Sequence, residues 1–419
     1  MKKLVTILIS IFLLVSVLSF SALAAKVELN FIEAYTNPDR GIFLKEIISD
    51  FEKLHPNIKI NLISPPYEQA EQKIMLMLST KQPLDIVEVK GDTIGLYVGN
   101  NYLLNLESYL AAWPDSKTLL PAVWKLARTV DNTAYIIPSS VYSRTLYYRT
   151  DILKELGVDS IPKTIQELFE VCKEITDPLK DQYGFCFRGK NQQIDNIHYL
   201  VLPFLDDLDT NNLYRKTDGK VVWDDPRVVE ALKLYVRLFK ETSPKDSINW
   251  GFNEQINAFG SGITPIILQD ADFVGACDNT IGRDKFMMAP TPVGPYGKVY
   301  IILYFPSLSI VSHSEHKEEA WEFIKYFSSP EVNAYYTKNN SLLPIHSVTF
   351  EDDPYFSSGI FSPWAYMMEH PEAYVIGTPP RTSPKYSAWM QVANDDLQSL
   401  LLGNMTIEKL VNKWVEYWQ

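Results

Sequence analysis

Cysteine is scarce: only Cys172, Cys186 and Cys277 occur in 419 residues. An odd, sparse set with no C-x-x-C pair excludes a dithiol redox motif or a zinc ribbon. Cys172 and Cys186 are the only pair close in sequence, so a disulfide between them is one reading and free buried thiols the other. Positive charge is also in deficit, with 39 Lys and Arg against 51 Asp and Glu and a formal net charge of −12. Such a chain is poorly suited to nucleic acid or to an anionic membrane surface. No P-loop, G-x-S-x-G or H-E-x-x-H string is present, which removes the motif-bearing phosphate, serine and zinc chemistries. Long apolar runs are missing too, with one exception at the N-terminus.

There, Lys2 and Lys3 precede an apolar run from Leu4 to Phe20, followed by the small-x-small signal Ala22-Leu23-Ala24. This reads as a secretory signal peptide over residues 1–24. An N-terminal membrane anchor is the alternative, since the run approaches the length of a bilayer span. No cysteine stands near the cleavage position, so a lipid anchor is not expected. Losing Lys2 and Lys3 takes the net charge from −12 to −14, and the mature chain is expected to be periplasmic or extracellular. Its length implies two domains.

The early mature sequence alternates between strand and helix signals. Val27–Ile32 is an alternating strand, and Asn37-Pro38 reads as an N-cap with proline at the first helical position. The helix to about Leu54 places Phe43, Ile47, Phe51 and Leu54 on one face. Pro56 ends it, residues 58–62 make a second strand, residues 67–79 a second helix, and residues 84–89 a third strand. That βαβαβ pattern predicts a mostly parallel sheet. Further on, Thr164 with Glu167 matches a capping box for a helix to about Ile175. Residues 183–187 read as a strand, Asp225-Pro226 opens another helix, and residues 263–268 read as a strand that Pro265 confines to an edge or a start. Between the patterns, residues 134–149 run from the apolar Tyr135-Ile136-Ile137 through Pro138, two serines, Tyr142 and Arg144 into the apolar Leu146-Tyr147-Tyr148. This stretch looks like a passage from one core to another.

Several segments, in order over most of the mature chain, resemble one family. Phe51-Glu52-Lys53-Leu54-His55-Pro56-Asn57-Ile58-Lys59-Ile60, Asp131–Pro138, Leu146–Leu153 with Pro162-Lys163-Thr164, Ala258-Phe259-Gly260-Ser261-Gly262 and His316–Ile324 are its strongest fragments. The chain resembles the extracellular solute-binding proteins of carbohydrate ABC transporters, the maltose-binding-protein-like family. The resemblance implies an α/β, two-lobed periplasmic-binding-protein fold (type II). Each lobe is a mostly parallel sheet flanked by helices, with three interlobe crossings. These crossings fall near Pro138-Ser139, Phe286–Met288 and Asn339-Asn340. The implied lobes are residues 25–138 with 288–338, and 139–287 with 339–419. It further implies a non-catalytic, monomeric importer subunit that takes a sugar or oligosaccharide, needs no cofactor, and delivers its solute to a membrane permease. A cyclitol, polyol or glycerol phosphodiester ligand is the alternative on the same fold, and a secreted polysaccharide hydrolase the alternative of another class. The chain departs from the family at Gln269–Phe273, where tryptophan is common, and at Tyr304-Phe305-Pro306, where a glycine-rich stretch is expected.

A sugar offers hydroxyl edges and weakly apolar faces, so its site needs carboxylates, amides, guanidinium groups and aromatic rings. Such groups belong on loops after strand ends. The candidates are Tyr35, Asn37, Tyr67, Lys90, Asp92, Tyr142, Arg144, Trp250, Gln269, Asp270, Tyr304, Trp364 and Arg381. Each has a plainer role available. Asn37 caps a helix, Lys90 and Asp92 pair with each other, Tyr142 and Arg144 belong to a structural hinge, and the tryptophans pack cores. His313 with His316 lacks a third ligand for a metal. The acidic pairs Asp206-Asp207 and Asp395-Asp396 match a glycosidase only in composition.

Overall fold

The alternating segment Val27–Ile32 forms β1, and Ile58–Ile63 forms β2 parallel to it, in register from Val27 opposite Ile58 to Ile32 opposite Ile63. β3 (Ile86–Val89) flanks β1 on its other side, with Phe31 opposite Ile86. The helices Pro38–Leu54 and Tyr67–Ser79 connect them, so the expected βαβαβ unit forms. The structure, a computed structural model, describes residues 26–36, 38–190 and 193–419; the expected signal peptide and the Asn37 cap lie outside these.

The chain divides into two compact units, one reaching to Glu88 and including Ile310–Phe327, the other Val89–Ser309 with Ser328–Gln419. In the first unit, Leu44, Ile47, Ile48 and Phe51 of the helix Pro38–Leu54 are buried. Phe51 meets Phe323 edge-on at 5.2 Å, and Phe31 meets the same ring at 5.8 Å. Leu54, expected on the same face, is 66% exposed: it stands at the last helical position, where no apolar layer covers it. The buried Asp85 carboxylate ties the sheet together, accepting from Asn30 N (2.8 Å) and Ser314 Oγ (2.5 Å).

The second unit opens with β4 (Ile137–Pro138) and β5 (Thr145–Arg149). A hairpin of β6 (Leu208–Asp209) and β7 (Asn212–Lys216) follows. β8 (Ile266–Gln269) and β9 (Phe286–Ala289) both run antiparallel to β5, which lies between them. β10 (Val299–Ile302) pairs in parallel with β12 (Tyr374–Gly377), and β11 (Ser307–Ile310) pairs its first two residues antiparallel with β4. The sheet around β5 therefore departs from the mostly parallel one expected. β8 and β9 run the same way, linked through the helix Phe273–Thr280, and β5 enters between them in the opposite sense. Residues 183–187 make no full strand either. Phe185 forms a single bridge to Ile266, while its own amide is taken by Thr242 O. β8 does begin directly after Pro265, whose carbonyl accepts from Arg149 N. Thr164 caps the helix Ile165–Glu174 by accepting from Glu167 N, as its sequence predicts.

Residues 139–142 lie beside two other passes of the chain. Ser139 N donates to Pro306 O (2.7 Å), Tyr142 and Tyr304 exchange both backbone hydrogen bonds, and Val141 does the same with Leu343. The buried Asn333 binds across two of these passes: Nδ2 donates to Ser139 O and Oδ1 accepts from Ile345 N. The segment Phe286–Met288 lies in β9, opposite Tyr147–Arg149 of β5.

All three cysteines are free and buried, so the Cys172–Cys186 bridge is not formed. Cys186 Sγ rests against Gln255 O, and burial pushes its thiol up to about 12, which leaves it unreactive.

The second unit also holds an aromatic core of Tyr214, Trp223, Trp389, Trp414 and Trp418, with ring centroids 4.9–6.1 Å apart in its contacting pairs. Trp389 is fully buried and its Nε1 donates to the Tyr214 hydroxyl at 3.1 Å. Trp389→Ala is expected to lower unfolding free energy by about 3–5 kcal/mol, from cavity formation and the lost donor. Urea unfolding at neutral pH measures this, and a loss below about 1 kcal/mol would show that the cluster is not a core.

Candidate functional site

The polar stretch between β4 and β5 is almost wholly buried. Ser139, Ser140, Ser143 and Thr145 are inaccessible, Arg144 is 1% exposed and Tyr142 9%. Burial on this scale requires partners, because a buried guanidinium without one is prohibitively unfavourable. Arg144 finds them on the helix Gln193–Leu200. NH2 donates to Asp195 Oδ2 (3.1 Å) and NH1 reaches Asn196 Oδ1 (3.4 Å). Its Nε lies 3.4 Å from Asp270 Oδ1, close enough for charge attraction but not aligned as a hydrogen bond. Ser143 Oγ and Tyr199 OH are 2.7 Å apart, and the same hydroxyl donates to Ile302 O. Thr291 Oγ1 fixes the Arg144 carbonyl.

Charges in this cluster shift one another. Burial pushes the Asp195 carboxyl up, but Arg144, His198 and Tyr304 together outweigh burial and hold it at about 2. Asp270 goes the other way, because burial raises it by more than Arg144 lowers it. Burial and the neighbouring Asp270 push Asp272 up to about 7, against the pull of Arg188. Burial lowers His198, and Asp195 only partly restores it.

Aromatic groups close the cluster. The rings of Tyr142 and Tyr304 stack at 5.6 Å and 23°. Arg381, 2% exposed, lies 5.5 Å from the Tyr304 ring and 5.2 Å from that of Phe305, while its Nε donates to Asp92 Oδ1 (2.9 Å) and NH1 to Leu303 O. Several buried polar atoms of this cluster have no hydrogen-bond partner, among them Ser140 Oγ, Arg144 Nε, Thr145 Oγ1, Asp270 Oδ1, Asp272 Oδ1 and Tyr304 OH. Buried polar atoms are normally paired. Donors and acceptors are both open, a mixture that a compound carrying hydroxyl groups can satisfy.

The structure thus brings Tyr142, Arg144, Asp270 and Tyr304 into one cluster and seats Asp92 with Arg381 beside it. Asp92 pairs with Arg381; Lys90 is half-buried and its carbonyl accepts from Thr93 N. Gln269 holds the frame instead of facing outward: Nε2 donates to Gln255 Oε1, and Oε1 accepts from Asp270 N. Trp250 is half-buried and its Nε1 donates to Asp246. Trp364 is 3% exposed.

In the other unit, Tyr35 and Tyr67 are both half-buried, Tyr35 after β1 and Tyr67 at the start of its helix. The backbone around Tyr35 is clamped. Glu88 accepts from Ala34 N, Tyr35 N and the Arg40 guanidinium, and Arg40 also reaches Glu33 and Tyr35 O. Burial raises the Glu33 carboxyl more than Arg40 lowers it.

Asp195, Asn196, Tyr199, His198 and Asp272 were not anticipated. In the structure Gln193–Leu200 is a helix whose every residue is buried, with Asp195 and Tyr199 one turn apart on one face. The acidic pairs serve structure. Asp206 and Asp207 hold Arg227, and Asp396 accepts from Lys413 and Trp414 Nε1. His313 makes a hydrogen bond to Gln82 O, and among the described residues no group of three or more His, Cys, Asp or Glu is placed to hold a metal ion.

The fold has solved counterparts. A crystal structure of an ABC transporter solute-binding protein from Thermotoga lettingae, bound with α-D-tagatose, superimposes with a TM-score of 0.80 at 20% identity, over 93% of this chain and 98% of that one. The class is therefore the two-lobed α/β type II binding-protein fold. The sequence profile of the bacterial extracellular solute-binding proteins matches residues 36–334, and the chain belongs to that family. Among its relatives are a mannitol-binding protein of Pseudomonas aeruginosa, 26% identical over 71% of this chain and 68% of that one, and a maltotriose-binding protein of Pyrococcus abyssi, 22% identical over 82% and 72%.

Arg144→Met is expected to leave Asp195 buried without its cation and to lower stability by about 3–5 kcal/mol at pH 7. The double variant Arg144→Met, Asp195→Asn should recover part of that loss in urea unfolding. Because Asp195 titrates at about 2 when folded against an ordinary 3.8, its contribution is complete above that ordinary value and is lost as pH falls toward 2. An Arg144→Met protein as stable as the wild type would remove the pair from the stability account.

Proposed function

We propose that this chain is the exported solute-binding subunit of an ABC importer and takes a sugar or polyol. The observation that carries the reading is the buried cluster of Tyr142, Arg144, Asp270 and Tyr304 with its open donors and acceptors, in a chain of this family. The tagatose complex, the mannitol-binding relative and the maltotriose-binding relative support a carbohydrate or polyol as the ligand class. The chain is exported by cleavage of residues 1–24. It works as a monomer and meets a membrane permease. Its ligand contacts are Tyr142, Arg144, Asp270, Tyr304 and Trp364, joined by Tyr35, Asn37, Tyr67, Lys90, Asp92, Trp250 and Arg381, while Gln269 positions Asp270.

Its lobes are residues 25–138 with 288–338 and 139–287 with 339–419, joined where three chain passes run together. The backbone pairing of residues 139–142 with 304–306 and 343 supports a place where three passes run together. Solute favours a closed form by binding it more tightly than the open one.

Two measurements test the proposal. In a thermal-shift screen of sugars, alditols and cyclitols, a true ligand raises the melting temperature with its concentration. Small-angle scattering with that ligand should show a smaller radius of gyration, and an unchanged radius with a tight binder would sink the closure. A binding subunit also releases its solute intact, whereas an enzyme stabilises the transition state over the substrate. After a day of incubation, chromatography should recover the ligand unchanged; product beyond one equivalent per protein would overturn the non-catalytic reading.

A further inference from the structure

His198 is not among the proposed ligand contacts, yet it adjoins Asp195, the partner of Arg144. It lies three residues after Asp195 on the helix Gln193–Leu200 and is 1% exposed. On one side its Nε2 is 3.0 Å from the Tyr214 hydroxyl, and on the other its Nδ1 is 3.7 Å from Asp195 Oδ1. The second distance exceeds a hydrogen bond, and Nδ1 has no hydrogen-bond partner, but it is within reach of charge–dipole attraction in a buried setting. The other oxygen of Asp195 accepts from Arg144 NH2 at 3.1 Å.

Which ring nitrogen carries the proton follows from the donors around it. Trp389 Nε1 can only donate, and at 3.1 Å it donates to the Tyr214 oxygen. Burial raises the Tyr214 phenol well above its usual range, so it keeps its proton, while Trp389 and Tyr386 pull the other way, as donors to that oxygen do. The Tyr214 O–H is then left to donate to His198 Nε2, which must be the bare nitrogen. Burial lowers His198 from its ordinary value, against the pull of Asp195, so the ring is neutral at pH 7 and its one proton sits on Nδ1. That N–H is turned on the Asp195 carboxylate. The other tautomer would set a ring lone pair against the same charge.

We propose that His198 is a positioning residue of the candidate site: fixed as its Nδ1–H tautomer by Tyr214, it steadies Asp195, which in turn orients Arg144. Asp195 then faces a donor with each oxygen, and rotating the carboxylate would cost both contacts. Arg144 is held through NH2 and NH1, which leaves Nε, 3.4 Å from Asp270 Oδ1, as the edge without a hydrogen-bond partner. The proposal rests on reading this cluster as the ligand site, and it adds the residue that sets the direction of the Arg144 guanidinium.

The ring and the arginine report on this without any ligand. In the full mature protein labelled with 15N, ring correlations at pH 7 should show His198 with a protonated Nδ1 and a bare Nε2, assigned by their loss in His198→Asn. A protonated Nε2 or a doubly protonated ring overturns the inference. The Arg144 Nε–H signal, assigned by its absence in the double variant Arg144→Met, Asp195→Asn, should move in His198→Leu. It should return in His198→Asn, whose amide puts a donor near the place of Nδ1. An unmoved signal in His198→Leu, or no return in His198→Asn, overturns the inference, because a packing role would not follow the donor. If His198→Leu does not fold, Tyr214→Phe replaces it: this variant removes only the hydroxyl and should shift part of the ring proton to Nε2, and an unchanged ring overturns the inference. D-mannitol and maltotriose are the binding probes, read by titration calorimetry. A probe that binds the wild type should bind His198→Leu about tenfold more weakly and His198→Asn within about threefold of the wild type. Equal binding by all three proteins overturns the inference and leaves the carbohydrate reading standing. Binding of neither probe to the wild type counts against the carbohydrate reading, and the ring and arginine signals then decide the inference by themselves.

Discussion

Burying the Arg144 guanidinium is the constraint on which the candidate site depends. A cation taken fully out of water needs a counter-charge at hydrogen-bond distance, and Asp195 supplies it from a helix 51 residues further along the chain. Once that pair is in place, much of the remaining chemistry is determined by proximity. Asp270 falls into the field of the same guanidinium without a hydrogen bond to it, and Asp272 is pushed toward its protonated form by Asp270 and by burial. Arg144 also sits between the crossing segment and β5, so the pair anchors the passage that the sequence had marked as unusual.

The two units treat buried charge differently. In the first, Arg40 binds Glu33, Glu88 and Tyr35 O, and Glu88 also takes the amides of Ala34 and Tyr35, so that this triad locks a loop. A saturated network of this kind rigidifies. In the second, Arg144 Nε, Asp270 Oδ1, Asp272 Oδ1, Tyr304 OH and Trp364 Nε1 all lack hydrogen-bond partners. Buried polar atoms without partners lower stability. The aromatic core around Trp389 supplies stability elsewhere in the same unit, and it touches the cluster through the Tyr214 hydroxyl, shared by Trp389 Nε1 and His198 Nε2.

Much of the candidate site was legible at the level of residue type and loop position. Tyr142 and Arg144 were readable because they stand in the polar stretch between β4 and β5, and Asp270 and Tyr304 because they stand just after β8 and β10. Their partners were not. Asp195 lies inside a helix, and nothing local says that a helical aspartate meets an arginine 51 positions earlier. Asp92 was read as a ligand contact or a partner of Lys90, and it pairs with Arg381 across 289 positions. Gln269 has the chemistry of a ligand contact, yet β8 directs it toward Gln255, where it orients the Asp270 backbone.

By itself, the sequence determined the local grammar of this protein: the βαβαβ start, the caps at Thr164 and Asp225, the strand beginning after Pro265, and the polar stretch between two apolar ones. These follow from side-chain period, proline geometry and capping, which act over a few residues. Tertiary structure alone decided that β5 lies antiparallel between β8 and β9, that the Tyr304 pass runs beside residues 139–142, and that the three cysteines stay unpaired. It also decided which carboxylate neutralises which guanidinium. Strand order and ion pairing join residues tens to hundreds of positions apart, and their energies depend on burial, a property that no local stretch of sequence carries.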